Sequence, residues 1–169
     1  MFAVLLYAVA FVSSAQDYPV RAVKIIVPFA AGGPADVYAR FIAQRLQEAM
    51  GQPFVVEDRP GGGSVVGTDV VAKSPPDGYT LLLGTIGTNA INAALYSKLP
   101  YDVRTDFAPV TLVARTYLML VMHPSVPVRT VKDVIALAKA KPGQLNFGSA
   151  GAGTTPHLAG EMFKYLTGV

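Results

Sequence analysis

Two stretches of the chain are built mainly from small residues and could hold an anion: Ile26 to Asp36, IVPFAAGGPAD, and Asn146 to His157, NFGSAGAGTTPH. Each runs from apolar residues through a glycine-containing loop into a helix start. The first turn of a helix has backbone N–H groups without intrahelical partners, and the aligned peptide dipoles place partial positive charge there. Small residues let a carboxylate approach those amides, and glycine allows positive φ where the turn requires it. In open α/β sheets such loops lie beyond the carboxyl ends of the strands, where ligands bind. Two of them on different lobes would grip one small acid from both sides. Glycine-rich loops between strand and helix also occur as plain tight turns, and on residue types alone both readings stay open.

Other chemistries find less support. Around Ser149 the run GSAGAG has Phe147 where a nucleophile elbow needs glycine two residues before the serine. Neither glycine loop completes a dinucleotide or P-loop fingerprint, so no nucleotide cofactor is expected. His157 and Glu161 stand one helical turn apart, but no second histidine is near, and a loop-bracing histidine beside a solvent-facing glutamate is the expectation rather than a metal site. His123, before Pro124, is expected to be an ordinary turn residue. Asp36 is expected to be a helix N-cap that orders its loop, not a catalytic acid. Asp58 and Arg59 are expected to form a structural ion pair beside a glycine turn. No catalytic residue, metal or cofactor is therefore assigned. Fourteen basic residues stand against eleven acidic, a net charge of +3 with no basic run to follow a phosphate backbone, so nucleic acid is not an expected partner. The chain has no cysteine, hence no disulfide framework and no thiolate chemistry.

The elements that must position these loops can be read from periodicity. Met1 to Ala15, MFAVLLYAVAFVSSA, is apolar and ends in small residues at the positions a signal peptidase reads, although no Lys or Arg precedes the apolar run. It is expected to be an export signal cleaved after Ala15, because it is shorter than the roughly 20 apolar residues that span a bilayer. Val23 to Val27 predicts a strand covered on both faces. Asp36 then opens a helix whose stripe of Val37, Tyr38, Phe41, Ile42, Leu46 and Met50 is expected to be buried, with Gly51 and Pro53 ending it. Phe54 to Glu57 predicts a second strand, Asp58 to Gly63 a turn, Val65 to Lys73 a short helix and Tyr79 to Gly84 a third strand, followed by a polar loop, Thr85 to Asn89. Further on, Val110 to Ala114 and Leu118 to Met122 are two apolar runs separated by Arg115-Thr116-Tyr117 and read as the passage into a second lobe, and Leu145 to Phe147 predicts a strand. Thr130 with Asp133 predicts a capping box over a helix whose buried face is Val131, Val134, Ile135 and Ala138. Pro156 predicts the first residue of a closing helix with Leu158, Met162 and Leu166 on one side. Alternating strands and helices with short loops predict α/β architecture with right-handed crossovers. The predicted organisation is a signal at 1–15, a first lobe at 16–113 and a second at 114–169.

Taken in order, KIIVPFAAGGPADVYAR, VVEDRPGGGSVVG, AKSPPDGYTLLLGT, KLPYDVRTDFAPVTLV and AKAKPGQLNFGSAGAGTTPHLAGEMFK resemble the successive signatures of the Bug-type receptors. These are the periplasmic solute-binding proteins of tripartite tricarboxylate transporters. The resemblance covers the chain after its leader. It implies a two-lobed, type II-like Venus-flytrap fold, a periplasmic location, a small carboxylate ligand and membrane transporter components as partners. It also implies which residues meet the ligand. Phe29 would line the cleft, and Ala31, Gly32 and Gly33 would offer amides in a loop ordered by Asp36. Ser149, Gly151, Gly153, Thr154 and Thr155, in a loop ending at His157, would face the ligand's other end. Thr85 and Thr88 are the next polar contacts. Asp58 departs from the asparagine common in that turn. Members of the family run to about twice this length, so the resemblance implies that the fold is incomplete in this chain. An exported hydrolase or isomerase on a similar scaffold, and a ligand-sensing module for a signalling partner, are the alternatives.

Overall fold

A computed structural model describes residues 17–169; the expected export signal lies outside the described residues. Three strands form one parallel sheet: β1 (Val23–Val27) in the centre, β2 (Phe54–Asp58) on one side and β3 (Thr80–Leu82) on the other. Val23 pairs with Phe54 and Ile25 with both Val56 and Leu81. The ladder runs past the short third strand, since the Lys24 amide donates to the Tyr79 carbonyl and the Leu83 amide to the Ile26 carbonyl. β1 is buried at Val23, Ile25 and Val27 on one face and at Ile26 on the other, while Lys24 near its start is exposed and meets Glu57.

Helix α1 (Pro34–Met50) leads from β1 to β2, and α2 (Val65–Ala72) leads from β2 across to β3. The two crossovers run in opposite directions across the sheet, so right-handedness puts their helices on opposite faces. Side-chain parity agrees. Val23, Ile25 and Val27 pack with Ala39 and Ala43 of α1 in the main core cluster, while Ile26, also buried, points the other way.

Of the stripe expected to bury α1, Ile42 and Leu46 are half-buried, Leu46 against the core cluster, and the rest is exposed, Phe41 at 59% and Val37 at 60%; the buried residues of α1 are Asp36, Ala39 and Ala43. Both stripes have helical spacing. The alanines win because a helix resting flat on a sheet needs small residues at closest approach, and hydrophobicity alone does not reveal them. Gly51 ends α1 as expected, with φ 69° and its amide on the Gln47 carbonyl.

The strand predicted at Leu145–Phe147 does not form among the described residues, and the apolar runs Val110–Ala114 and Leu118–Met122 have no regular secondary structure and no ladder partner there, with Val110 and Tyr117 83% and 91% exposed. A strand is completed by hydrogen bonds to a neighbour, and apolar sequence cannot supply that neighbour by itself. Leu145–Phe147 folds back instead: the Phe147 ring lies over Gly160 and stacks on His157 with centroids 6.4 Å apart. The predicted polar loop after β3 is helical, a π-turn at Gly87–Ile91 continuing into α3 (Asn92–Leu95).

Helix α4 (Val131–Ala140) carries the expected capping box: the Asp133 amide donates to Thr130 Oγ1 at 3.2 Å, and the Thr130 amide donates to the Asp133 carboxylate at 2.9 Å. The Arg129 amide, then the Thr130 hydroxyl and amide, hold the Asp133 carboxyl below the usual carboxylate range. A carboxyl lowered in the folded state supports the helix above its unfolded pKa, and the support fades as pH falls through the lowered value. Of the four residues expected to bury this helix only Val134 is buried; Val131 is exposed, and Ile135 and Ala138 are half-buried. Helix α5 (Thr155–Thr167) begins one residue before the expected Pro156, with Thr154 as N-cap, and Met162 and Leu166 are exposed. No helix among the described residues is long and apolar enough to cross a membrane.

Where α2 meets the loop after β1, Gly67 allows close approach: a Cβ there would stand 2.6 Å from the Arg59 carbonyl oxygen and 2.9 Å from Pro28 Cα. Both obstacles are backbone. Gly67→Ala is expected to destabilise the chain by about 1–3 kcal/mol in urea unfolding. Gly148→Ala, where nothing lies within 4 Å, should change stability by less than about 0.5 kcal/mol.

Candidate functional site

The three strands are parallel, so the loops after β1, β2 and β3 all leave from one rim of the sheet, the side on which open α/β sheets bind ligands. The loop after β1 lies on that rim. Its Phe29 packs half-buried against the core cluster, which anchors the loop, while Ala31 and Gly32 are exposed and Gly33 is half-buried.

Asp36 is not the N-cap. Gly33 occupies that position with an extended backbone, Pro34 follows as first helical residue, and Asp36 stands third. From there its carboxylate reaches back, and the Gly32 amide donates to Asp36 Oδ2 at 2.8 Å. Asp36 therefore orders the loop, as expected, by occupying one of the very amides expected to meet a ligand. The Ala31 and Gly33 amides form no hydrogen bond among the described residues, and neither do those of Ala35 and Asp36 in the first turn of α1, so they are among the uncommitted donors at this end of the helix. Asp36 Oδ1 also meets Arg40 Nε at 2.6 Å, and Arg40 extends to Asp58 Oδ2 at 2.9 Å. Asp58 and Arg59 are not paired with each other: Arg59 bonds to Glu57, whose carboxyl Lys24 and Arg59 together hold below its ordinary range.

The second loop is braced from within. The Gly151 amide donates to Ser149 Oγ at 3.3 Å, and the Thr154 hydroxyl donates to the Gly151 carbonyl at 2.6 Å. Gly151 and Gly153 have φ of 114° and 78°, which only glycine adopts without strain. The buried Gly153 amide points to His157 Nδ1 at 3.4 Å. His157 thus braces the loop, and Glu161 is drawn to Lys164 Nζ at 2.8 and 2.9 Å instead of joining it. Lys164 accordingly holds the Glu161 carboxyl below its ordinary range. Among the described residues no three potential metal ligands converge. The amides of Thr155 and His157 open α5 without a partner, and Thr155 is half-buried at the same place.

Thr85 and Thr88 divide. The Thr85 hydroxyl makes no hydrogen bond among the described residues, while Thr88 is fully buried and its Oγ1 accepts from the Thr85 amide at 2.8 Å. Its single proton serves the Thr85 carbonyl at 2.9 Å or Asn89 Oδ1 at 2.8 Å. Thr88 shapes the turn and offers nothing to a ligand in this conformation.

Asn92, which periodicity did not single out, joins these parts. It is fully buried, and the two protons of its Nδ2 are shared among the Gly63 carbonyl at 3.1 Å and Ser64 Oγ and Tyr101 Oη, both at 3.3 Å. The carbonyl partner fixes which end of the amide is nitrogen. The Gly61–Ser64 turn is thereby tied to α3, and Ser64 itself sits at φ 75°. The second loop reaches the same place: a Cβ on Gly63 would lie 3.5 Å from the Ala152 carbonyl oxygen, and one on Gly153 would strike Leu95 at 2.7 Å and lie 4.0 Å from Asn92 Oδ1. The Gly61–Ser64 turn, α3 and the second glycine loop are thus in contact; no hydrogen bond joins the 28–36 loop to the 149–157 loop among the described residues. Two hollows lie elsewhere. One of about 800 Å³ is lined by Tyr96, Leu99, Tyr101 and Arg104, and one of about 210 Å³ by Arg21, Asp77 and Tyr79; neither includes a residue of the two loops.

Residues 38–169 match the model of the tripartite tricarboxylate transporter family receptor. The chain belongs to this family. It is 43% identical over 156 residues to BugT of Bordetella pertussis, an alignment covering 92% of this chain and 48% of BugT. A structure of an R. palustris protein with adipate superposes at TM-score 0.86 with 44% identity, covering 90% of this chain and 51% of the other. MatC from Rhodopseudomonas palustris with bound malate superposes at 0.77 with 32% identity, covering 90% and 52%. The chain thus spans about half the length of the relatives it matches, and its fold is part of their α/β periplasmic-binding-protein architecture.

The Asn92 hub gives a direct test of this assembly. Asn92→Ala removes a buried donor shared by three acceptors and should destabilise by about 1–3 kcal/mol. Tyrosine fluorescence during urea unfolding, compared with far-UV circular dichroism, is the measurement: loss of the hub should leave both transitions coincident but earlier.

Proposed function

We propose that this chain contributes the carboxylate-holding loops of a periplasmic solute receptor for a tripartite transporter. The acid would lie between the loop after β1 and the loop before α5. The observation that carries this reading is the pair of uncommitted amide sets, Ala31 with Gly33 and Thr155 with His157, each at a helix N-terminus in a family receptor. Two similar structures hold dicarboxylates, adipate in one and malate in the other, which favours a small dicarboxylate here. The Thr85 hydroxyl is the uncommitted side-chain donor beside β3. No step of covalent chemistry is invoked: the hydrogen-bond partner of Ser149 is the Gly151 amide, not a base. The first lobe would run from 16 to 113 and the second from 114, with export through the leader delivering the protein to the periplasm. The closed, liganded form would be what the membrane components recognise.

The test is calorimetric titration and thermal shift of the chain without residues 1–15 against mono-, di- and tricarboxylates. An acid present at 100 times its Kd raises stability by about 2.7 kcal/mol. Thr154→Ala, which loosens the second loop by removing the bond to the Gly151 carbonyl, should weaken binding about tenfold, equal to about 1.4 kcal/mol. A chain that folds cooperatively and shifts with none of these acids would overturn the proposal.

A further inference from the structure

One guanidinium, that of Arg40, meets carboxylates both at the first turn of α1 and at the end of β2. We infer that Arg40 is a positioning residue for acid binding: it holds Asp36 and Asp58 together and so sets the shape and charge of the loop that offers the Ala31 and Gly33 amides. The inference rests on the proposed carboxylate site.

Three contacts in series carry it. The Gly32 amide donates to Asp36 Oδ2 at 2.8 Å, Asp36 Oδ1 meets Arg40 Nε at 2.6 Å, and Arg40 Nη2 meets Asp58 Oδ2 at 2.9 Å. Asp36 is 4% exposed, and the Asp58 side chain is 15% exposed, so the two carboxylates are largely withdrawn from water. Arg40 is the one cation within ion-pair distance of either among the described residues. The oxygens left over, Asp36 Oδ1 and Asp58 Oδ1, are buried and accept no directed hydrogen bond. The Asp36 oxygen therefore depends on the Arg40 charge rather than on an aligned donor.

Without that cation, two poorly hydrated negative charges would stand behind a loop asked to receive a third. Asp36 would also lose the restraint that aims it at Gly32. Asp58 ends β2, where it pairs with Val27 and is followed by the Arg59 amide bonded to the Val27 carbonyl at 2.7 Å. Arg40 thus ties the carboxyl ends of two neighbouring strands to the first turn of α1. Lysine could satisfy one carboxylate but not the forked demand of both.

The experiment uses the chain without residues 1–15 and the substitutions Arg40→Met, Arg40→Lys and Asp58→Asn. The Gly32 amide is followed by NMR hydrogen exchange without ligand, and adipate and malate binding by calorimetry. The expected result is that Arg40→Met speeds Gly32 exchange at least tenfold and weakens binding at least tenfold, while amides of β1 keep their protection. Arg40→Lys should fall between, and Asp58→Asn, which keeps an oxygen for Arg40 Nη2 while removing one negative charge, should weaken binding less than Arg40→Met does. Combining Asp58→Asn with Arg40→Met should recover part of the lost affinity, a rescue that a purely packing role for Arg40 would not give. Unchanged Gly32 exchange in Arg40→Met overturns the inference. Faster Gly32 exchange in a chain that binds no acid even when unaltered would remove the proposed function and leave the positioning role of Arg40 standing.

Discussion

Everything at the candidate site depends on β1 being hydrogen-bonded along both edges. Pairing with β2 on one side and β3 on the other brings three strand ends to one rim of the sheet, and the two crossovers then place helices on opposite faces. An apolar strand with only one neighbour would leave a row of amides and carbonyls to water or to chance partners. The burial of Val23, Ile26 and Val27, the close approach at Gly67 and the anchoring of Phe29 all follow from that central position.

The site built on this rim is more self-contained than a bare glycine loop would suggest. Each loop uses part of its own donor set to hold its shape: Asp36 takes the Gly32 amide, Ser149 takes that of Gly151, and His157 takes that of Gly153. Proline at N1 of α1 and N2 of α5 removes a further donor from each first turn. A ligand would meet a small remainder of amides whose directions are already set. Preorganisation of this kind costs donors and saves the entropy of ordering a loop at the moment of binding.

Much of this was legible in the sequence, and what was not has specific physical causes. β1, the end of α1, the span of α2 and the Thr130–Asp133 cap are local: β-branched residues, a glycine past the last turn and an acidic residue at the third helical position act within a few residues. Choosing between the Ala39–Ala43 face and the Phe41 face was not local, because it depends on how closely a sheet approaches. The same holds for Asn92, whose partners lie up to 29 residues away, and for Asp36, whose role changes once Gly33 rather than Asp36 begins the helix. Residues 110–114 and 118–122 are largely apolar, as a strand would require, but pairing belongs to two segments, and the sequence of one says nothing of the other.

That last segment has a practical meaning for anyone handling the chain. A ribbon of Val, Leu, Tyr and Met residues with both of its backbone edges open does not discriminate between a proper neighbour and a copy of itself. In a crowded compartment it would be the place where a chaperone holds on, and in a concentrated tube the place where molecules first adhere to one another.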